Sequence, residues 1–358
     1  MRLAGALLAA TLVLPALPAR ADDDASEWLE RMGEALASRN YEGVFTHSTR
    51  RQSETMRIVH RVDDGESTER LVSLDGSGRE IVRTAKEVHV YLPDRSVVLV
   101  EPRNDEGSLV GRFPEPGPRL DQMYTLELRE GPRLLGRDVQ VLDIRPRDGF
   151  RYGYRLWLDQ KSAMPLRTVV VDPTGRAVEA ITFTELQMPK RIPASATEPS
   201  IDATGYRWVR NSKGAQPARP PSAPVAWLPT RLPPGFRLVK VRTQVIPGVA
   251  LPVQHLIFSD GIASISVFIE PARPDGSAPP ESSSVGSASA FSTTVGGHVI
   301  TAVGEVPLET VRDIARSVEP APAGGPPARP ATGGGTPAFE SRTALAPESP
   351  SAPPIQQR

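Results

Sequence analysis

The 358-residue chain has no cysteine. That excludes disulfides, zinc–thiolate sites, thiol nucleophiles and the cysteine that would hold a lipid anchor. It also lacks a surplus of either charge, with 42 Lys and Arg against 42 Asp and Glu. A nucleic-acid binder usually has a basic excess, so no nucleic acid is expected among the partners. Long apolar runs are missing as well. The one extended stretch, Leu3 to Leu17, falls short of the roughly twenty residues that span a bilayer. It follows Arg2 and gives way to Pro18-Ala19-Arg20-Ala21 and then Asp22-Asp23-Asp24, the layout of a secretory signal cleaved after Ala21. Residues 1–21 are therefore expected to be a signal peptide and the rest to be exported.

Catalytic signatures are equally scarce. The five histidines, His47, His60, His89, His255 and His298, sit singly in strand-like runs without metal-ligand spacing. No phosphate-binding loop, nucleophile elbow or dinucleotide fingerprint occurs in a strand–helix context. Acidic pairs such as Asp63-Asp64 and Asp105-Glu106 fall in turns, where a solvated carboxylate outweighs a general acid. The reading is a binding protein, not an enzyme, with no cofactor and no metal.

What is present is mostly strand. One helix opens the mature chain: Asp24 and Glu27 fit a capping box, and Trp28, Leu29, Met32 and Leu36 share a face. So short a helix cannot stand alone and must lie on a sheet. From Tyr41 to Leu186 short β-like runs follow one another, among them Gly43–His47, Met56–Val62, Arg70–Leu74, Val88–Leu92, Val139–Ile144, Arg151–Leu158 and Leu166–Val171. Asp64-Gly65, Asp75-Gly76, Asp148-Gly149 and Asp172-Pro173-Thr174-Gly175 mark the turns. Around ten strands joined by hairpins predict one large antiparallel sheet, strongly curved or nearly closed. Alternation of Met56 and Ile58 with Arg57 and Arg61 gives it one wet face.

Composition divides the chain further. Residues 22–187 form the sheet domain, with 24 basic and 30 acidic side chains. Residues 188–224 read as a basic, Pro- and Ser-rich linker in which Gly205 to Asn211 adds one strand. Residues 225–318 read as a small α+β domain of four or five strands. Its strands are Arg237–Val245, Val253–Phe258, Ile262–Ile269, Phe291–Val295 and His298–Val303. A last helix starts near Pro307, with Leu308, Val311, Ile314 and Val318 on one face. Residues 319–358, rich in Pro, Ala and Gly, are expected to be disordered.

A curved sheet with a helix on its concave side commonly encloses an apolar cavity. The candidates for its wall are Phe45, Met56, Ile58, Val90, Leu126 and Trp157, though alternation alone does not separate a cavity wall from an ordinary core. Arg207, Arg210 and Lys213 on the basic strip, with Trp227 and Phe236, are the candidates for contact with a partner or a lipid phosphate.

Several blocks, in order, are similar to one known family. They are Tyr41-Glu42-Gly43-Val44-Phe45, Leu74-Asp75-Gly76 with Arg79-Glu80-Ile81-Val82-Arg83, and Arg147 to Tyr154 with Trp157-Leu158-Asp159 and Met164-Pro165-Leu166-Arg167. Trp227-Leu228-Pro229, Leu232-Pro233-Pro234-Gly235-Phe236, Ser259-Asp260-Gly261 and Val303-Gly304-Glu305-Val306-Pro307 follow. Together, from Trp28 to about Val318, they resemble RseB/MucB, periplasmic regulators of the envelope-stress (sigma-E or AlgU-type) sigma factor. The resemblance implies an α+β protein: an unclosed antiparallel β-barrel over helices, like the lipoprotein carriers LolA and LolB, then a smaller domain. It implies binding of the periplasmic part of a membrane anti-sigma factor of the RseA/MucA type and protection from a DegS-type protease. Release by lipopolysaccharide or a related lipid is also implied. Homo-oligomer formation is left open. A lipid or lipoprotein carrier is the alternative, and a cell-wall hydrolase a third reading without recognisable acid and base.

Overall fold

The computed structural model describes residues 21–103, 117–210, 227–244, 253–271 and 282–321. The signal segment, most of the tail and Lys213 lie outside them. Helix α1 (Ala21–Ser38) opens the structure. Because it begins upstream of Asp24, that residue lies within the helix and does not cap it. The expected stripe is real: Ala25, Leu29, Met32, Ala35 and Leu36 are buried, and Trp28 packs beside them.

Twelve strands form one sheet, the last a short strand at its edge and the other eleven its body. They are β1 (Tyr41–Thr49), β2 (Ser53–Asp63), β3 (Glu66–Ser73), β4 (Glu80–Arg83), β5 (Glu87–Leu92) and β6 (Val97–Pro102), then β7 (Tyr124–Leu134) to β11. A short helix α2 (Pro118–Met123) precedes β7, and β8 (Arg137–Pro146), β9 (Gly153–Asp159), β10 (Pro165–Val171) and β11 (Ala177–Gln187) follow it. Each strand pairs antiparallel with its sequence neighbour within two runs, β1–β6 and β7–β11, and β1 and β11 zip the runs together. The free ends, at β7 and beyond β6, do not meet, so the sheet is unclosed. The hairpin chemistry read from sequence appears at Asp64 and Gly65, both at positive φ (48° and 81°), as a tight antiparallel turn requires.

Glycine at position 43 is demanded by the β1–β11 zip. A Cβ there would sit 2.3 Å from the Glu185 carbonyl oxygen and 3.1 Å from the Phe183 ring. Gly43→Ala should therefore destabilise the chain by about 1–3 kcal/mol, the cost of overpacking a tight site. The midpoint of urea unfolding measures it.

Residues 192–210, read from composition as part of the linker, lie on the outer sheet face. The buried Glu80 carboxylate accepts hydrogen bonds from the Ser200 N–H (3.0 Å) and hydroxyl (3.0 Å) and from Arg70. Arg61 donates to the Ile192 carbonyl. Val82, Tyr91, Val98 and Val100 pack against Ile201, Ala203 and Tyr206. The strap ends in β12 (Arg207–Arg210), which joins the edge of β6 as the one parallel pair of that sheet among the described residues. A carboxylate buried in the outer face holds down what composition shows only as polar and Pro-rich.

The second unit is larger in strand number than expected. Its sheet has six strands in the order β14-β15-β16-β19-β18-β17. They are β14 (Arg237–Gln244), β15 (Val253–Ser259), β16 (Ser264–Pro271), β17 (Ser282–Val285), β18 (Ala288–Val295) and β19 (His298–Gly304). Helix α3 (Leu308–Arg316) covers β18 and β19 through Val311, Ile314 and Ala315. Val318 is buried too, but the helix has ended; it opens β20 (Val318–Pro320), which pairs with β13 (Trp227–Pro229).

Candidate functional site

The inner face of the large sheet gathers five of the six cavity candidates. Phe45, Met56, Ile58, Val90 and Leu126 are buried in one cluster with Leu71, Ile81 and the apolar stripe of α1. The helix lies among them, so in this arrangement they pack as a core. Trp157 differs. It stands between the fully buried Leu156 and Leu158 but is only half-buried, with the Arg167 guanidinium 4.7 Å from its ring.

One end of that inner face is charged. His60, Glu69 and Arg83 are all buried, and cross-strand register puts them in a row from β2 to β4. Arg83 donates to Glu69 (2.9 Å), His60 Nδ1 bonds the Arg39 carbonyl (2.8 Å), and its ring stacks on Tyr41 (4.6 Å). Burial pushes the His60 pKa below its usual value; Glu69 and the Arg39 carbonyl oppose this, while Arg83 and Arg103 reinforce it. The unfolded chain thus takes up a proton near pH 6.5 before the folded one does. Stability falls as pH drops through that value, by at most ~1.4 kcal/mol per pH unit from this group. His60→Asn is expected to be less stable at pH 8 but to lose less on acidification to pH 5.5. Urea midpoints at the two values check it.

The second concentration of polar groups lies between the domains. Arg151 and the Asp260 carboxylate both have 0% side-chain exposure. Sequence periodicity places Arg151 in a strand, but β9 starts only at Gly153. Arg151 sits in the preceding turn, which aims it across the boundary. One guanidinium nitrogen donates to Asp260 (2.7 Å), a second to the Pro234 carbonyl (2.5 Å), and Nε to Asp148 (3.2 Å). The group also lies 5.2 Å from the Phe236 ring. Asp260 accepts from the Ile262 and Ala263 N–H groups (2.8 and 2.7 Å). Burial nonetheless holds its carboxyl above the usual range, against the pull of these N–H groups and Arg151. Nearby, the Thr310 hydroxyl of α3 donates to the Phe150 carbonyl (2.9 Å). A second bridge joins Glu179 of β11 to the Ser287 N–H (2.9 Å) and to His47 (2.9 Å). The two sheets are clamped by a charged bolt with the Phe236 ring beside it.

Sequence profiles decide the relationship. That of the MucB/RseB N-terminal domain matches residues 24–201, and that of the MucB/RseB C-terminal domain matches residues 221–319. The chain belongs to the MucB/RseB family. It is 33% identical to the sigma factor AlgU regulatory protein MucB of Pseudomonas aeruginosa over 311 residues, 86% of this chain and 94% of that protein. It is 26% identical to the sigma-E factor regulatory protein RseB of Escherichia coli K12 over 292 residues, 81% and 89% of the two chains. A crystal structure of MucB in complex with MucA(peri) matches with a TM-score of 0.65 at 30% identity, covering 84% of this chain and 100% of that one. A structure of MucB without a named partner gives 0.56 at 28% identity, covering 84% and 98%.

Within this MucB/RseB chain, the blocks that carry the resemblance converge on the bolt. Arg151 and Asp148 come from the Arg147–Tyr154 block, Pro234 and Phe236 from the Pro-Pro-Gly-Phe turn, and Asp260 from Ser-Asp-Gly. The remaining contact candidates are scattered. Phe236 is buried in the seam, and the Trp227 ring lies tilted against His298 (4.6 Å between centroids) beside Gly296. Arg207 and Arg210 lie on β12, far along the other sheet, with Arg210 paired to Glu87 (2.9 Å). Sequence alone does not pair Arg151 with Asp260, because nothing local ties residues 109 positions apart.

Proposed function

We propose that this chain is an exported, non-enzymatic regulator that holds the periplasmic part of a MucA-like membrane anti-sigma factor and shields it from site-1 cleavage. The observation that carries the reading is the likeness to MucB bound to MucA(peri), which spans both domains and all of that chain. The TM-scores with two MucB structures named with MucA, 0.65 and 0.64, exceed the 0.56 with a MucB structure that names no partner. Lipopolysaccharide or a related lipid, taken up by the apolar face of the first sheet in place of contacts with α1, favours a domain arrangement with weaker grip. Coupling of this kind is reciprocal: the anti-sigma segment weakens lipid binding by the same factor, roughly 5–150-fold for a typical 1–3 kcal/mol. The charged bolt supports the reading, since a discrete buried pair gives two distinct arrangements in preference to a continuum. The competing carrier needs only the first domain and leaves the bolt without a role.

The test is a cleavage assay with the anti-sigma periplasmic region and its protease. Adding the chain should slow cleavage at least tenfold, and lipopolysaccharide should restore the rate. Unprotected cleavage would reject the regulator, while lipid binding that survives deletion of residues 225–318 together with full function would favour the carrier.

A further inference from the structure

The outer face of β7–β10 is an arginine layer on a domain that is acidic as a whole. Opposed pairs in the ladder share a sheet face, so register puts Glu127, Asp143 and Arg155 in one row. Arg129, Val141, Trp157 and Arg167 form the next row, and Arg145 flanks them opposite Thr125. Asp143 is buried beneath the layer and is shared by three guanidiniums: Arg155 (2.5 Å), Arg129 (3.1 Å) and Arg145 (3.9 Å). Glu127 takes a second bond from Arg145 (3.0 Å). Arg167 has no carboxylate partner among the described residues and lies over Trp157. Four guanidiniums therefore stand over two carboxylates. Arg129 and Arg145 remain about half exposed, at 48% and 54%. Residues 22–187 as a whole carry 24 basic against 30 acidic side chains, so this surplus is local.

We propose that this face rests on an anionic phospholipid bilayer, a property separate from the anti-sigma reading and independent of it. Three features favour a lipid surface over an acidic protein. Four strands build a broad sheet face that sets its guanidiniums in adjacent rows, a spread suited to many separate phosphates. The half-buried Trp157 under Arg167 is a pairing suited to the headgroup layer, where Trp concentrates and Arg snorkels. The acidic remainder of the domain is repelled by the same surface, so attraction through one face orients the molecule.

Flotation of the exported chain with phosphatidylcholine vesicles, with and without phosphatidylglycerol, tests this. Binding is expected only with phosphatidylglycerol and is lost in high salt, as screening requires. Arg145→Gln/Arg167→Gln should lower the partition roughly 20–30-fold, the loss expected for two basic side chains at an anionic surface. Arg129 and Arg155 are left in place to keep Asp143 paired, and an unchanged melting temperature shows the fold intact. Arg145→Lys/Arg167→Lys should retain binding, because a bilayer reads charge and not bidentate geometry. Equal binding by the Gln pair, equal binding to neutral vesicles, or no flotation at all would overturn the proposal. Capture of polyglutamate without vesicle binding would instead assign the face to an acidic protein.

Discussion

Arg151→Ala is expected to destabilise the chain by about 3–5 kcal/mol, because it strands the Asp260 carboxylate in a dry seam. It also leaves the Pro234 carbonyl without its donor. Unfolding in urea, followed by tryptophan fluorescence, should change from one transition to two, since Trp28 and Trp157 report on the first domain and Trp227 on the second. Replacing both partners, as Arg151→Met/Asp260→Leu, should recover at least half of the loss, since two apolar side chains need no charge compensation. An Arg151→Ala chain with an unchanged midpoint would mean that the bolt contributes nothing to domain attachment.

Glu80→Ala carries the second large expected effect, a loss of about 2–4 kcal/mol. The carboxylate is fully buried, and it alone satisfies the Ser200 N–H while pairing with Arg70. Leaving such donors unsatisfied costs more than the bond itself contributes. The strap over the outer sheet face should then open, and limited proteolysis should cut between 192 and 206 before the domain itself unfolds. Glu80→Gln keeps the shape and one acceptor and should give about half the effect. Cleavage sites confined to other segments would show that the apolar contacts of Ile201 and Tyr206 hold the strap unaided.

These two residues also mark the limit of what the sequence discloses. The α1 stripe, the alternation along β2 and the Asp64-Gly65 turn are local patterns with periods of 3.6, 2 and a fixed φ, and each is recovered in the structure. Strand β17, built as Ser-Ser-Ser-Val with every side chain exposed, has no apolar alternation to reveal it. The strap is hidden for a related reason: several of its anchors are backbone groups, the Ser200 N–H and the Ile192 carbonyl, and its apolar contacts at Ile201, Ala203 and Tyr206 follow no strand or helix period. The arginine layer needs the register of four strands before its members become neighbours. Arg151 lies in one of the blocks that resemble the family, yet its partner lies in another domain, and only the packing of the two sheets brings them together.

Together, the two clamped domains are proposed to grip a MucA-like periplasmic segment. Calorimetric titration of the exported chain with that segment addresses it most directly. The account predicts saturable one-to-one binding that weakens at least tenfold in Arg151→Ala and weakens again when lipopolysaccharide is present. Absence of binding, or an affinity indifferent to both changes, would contradict it.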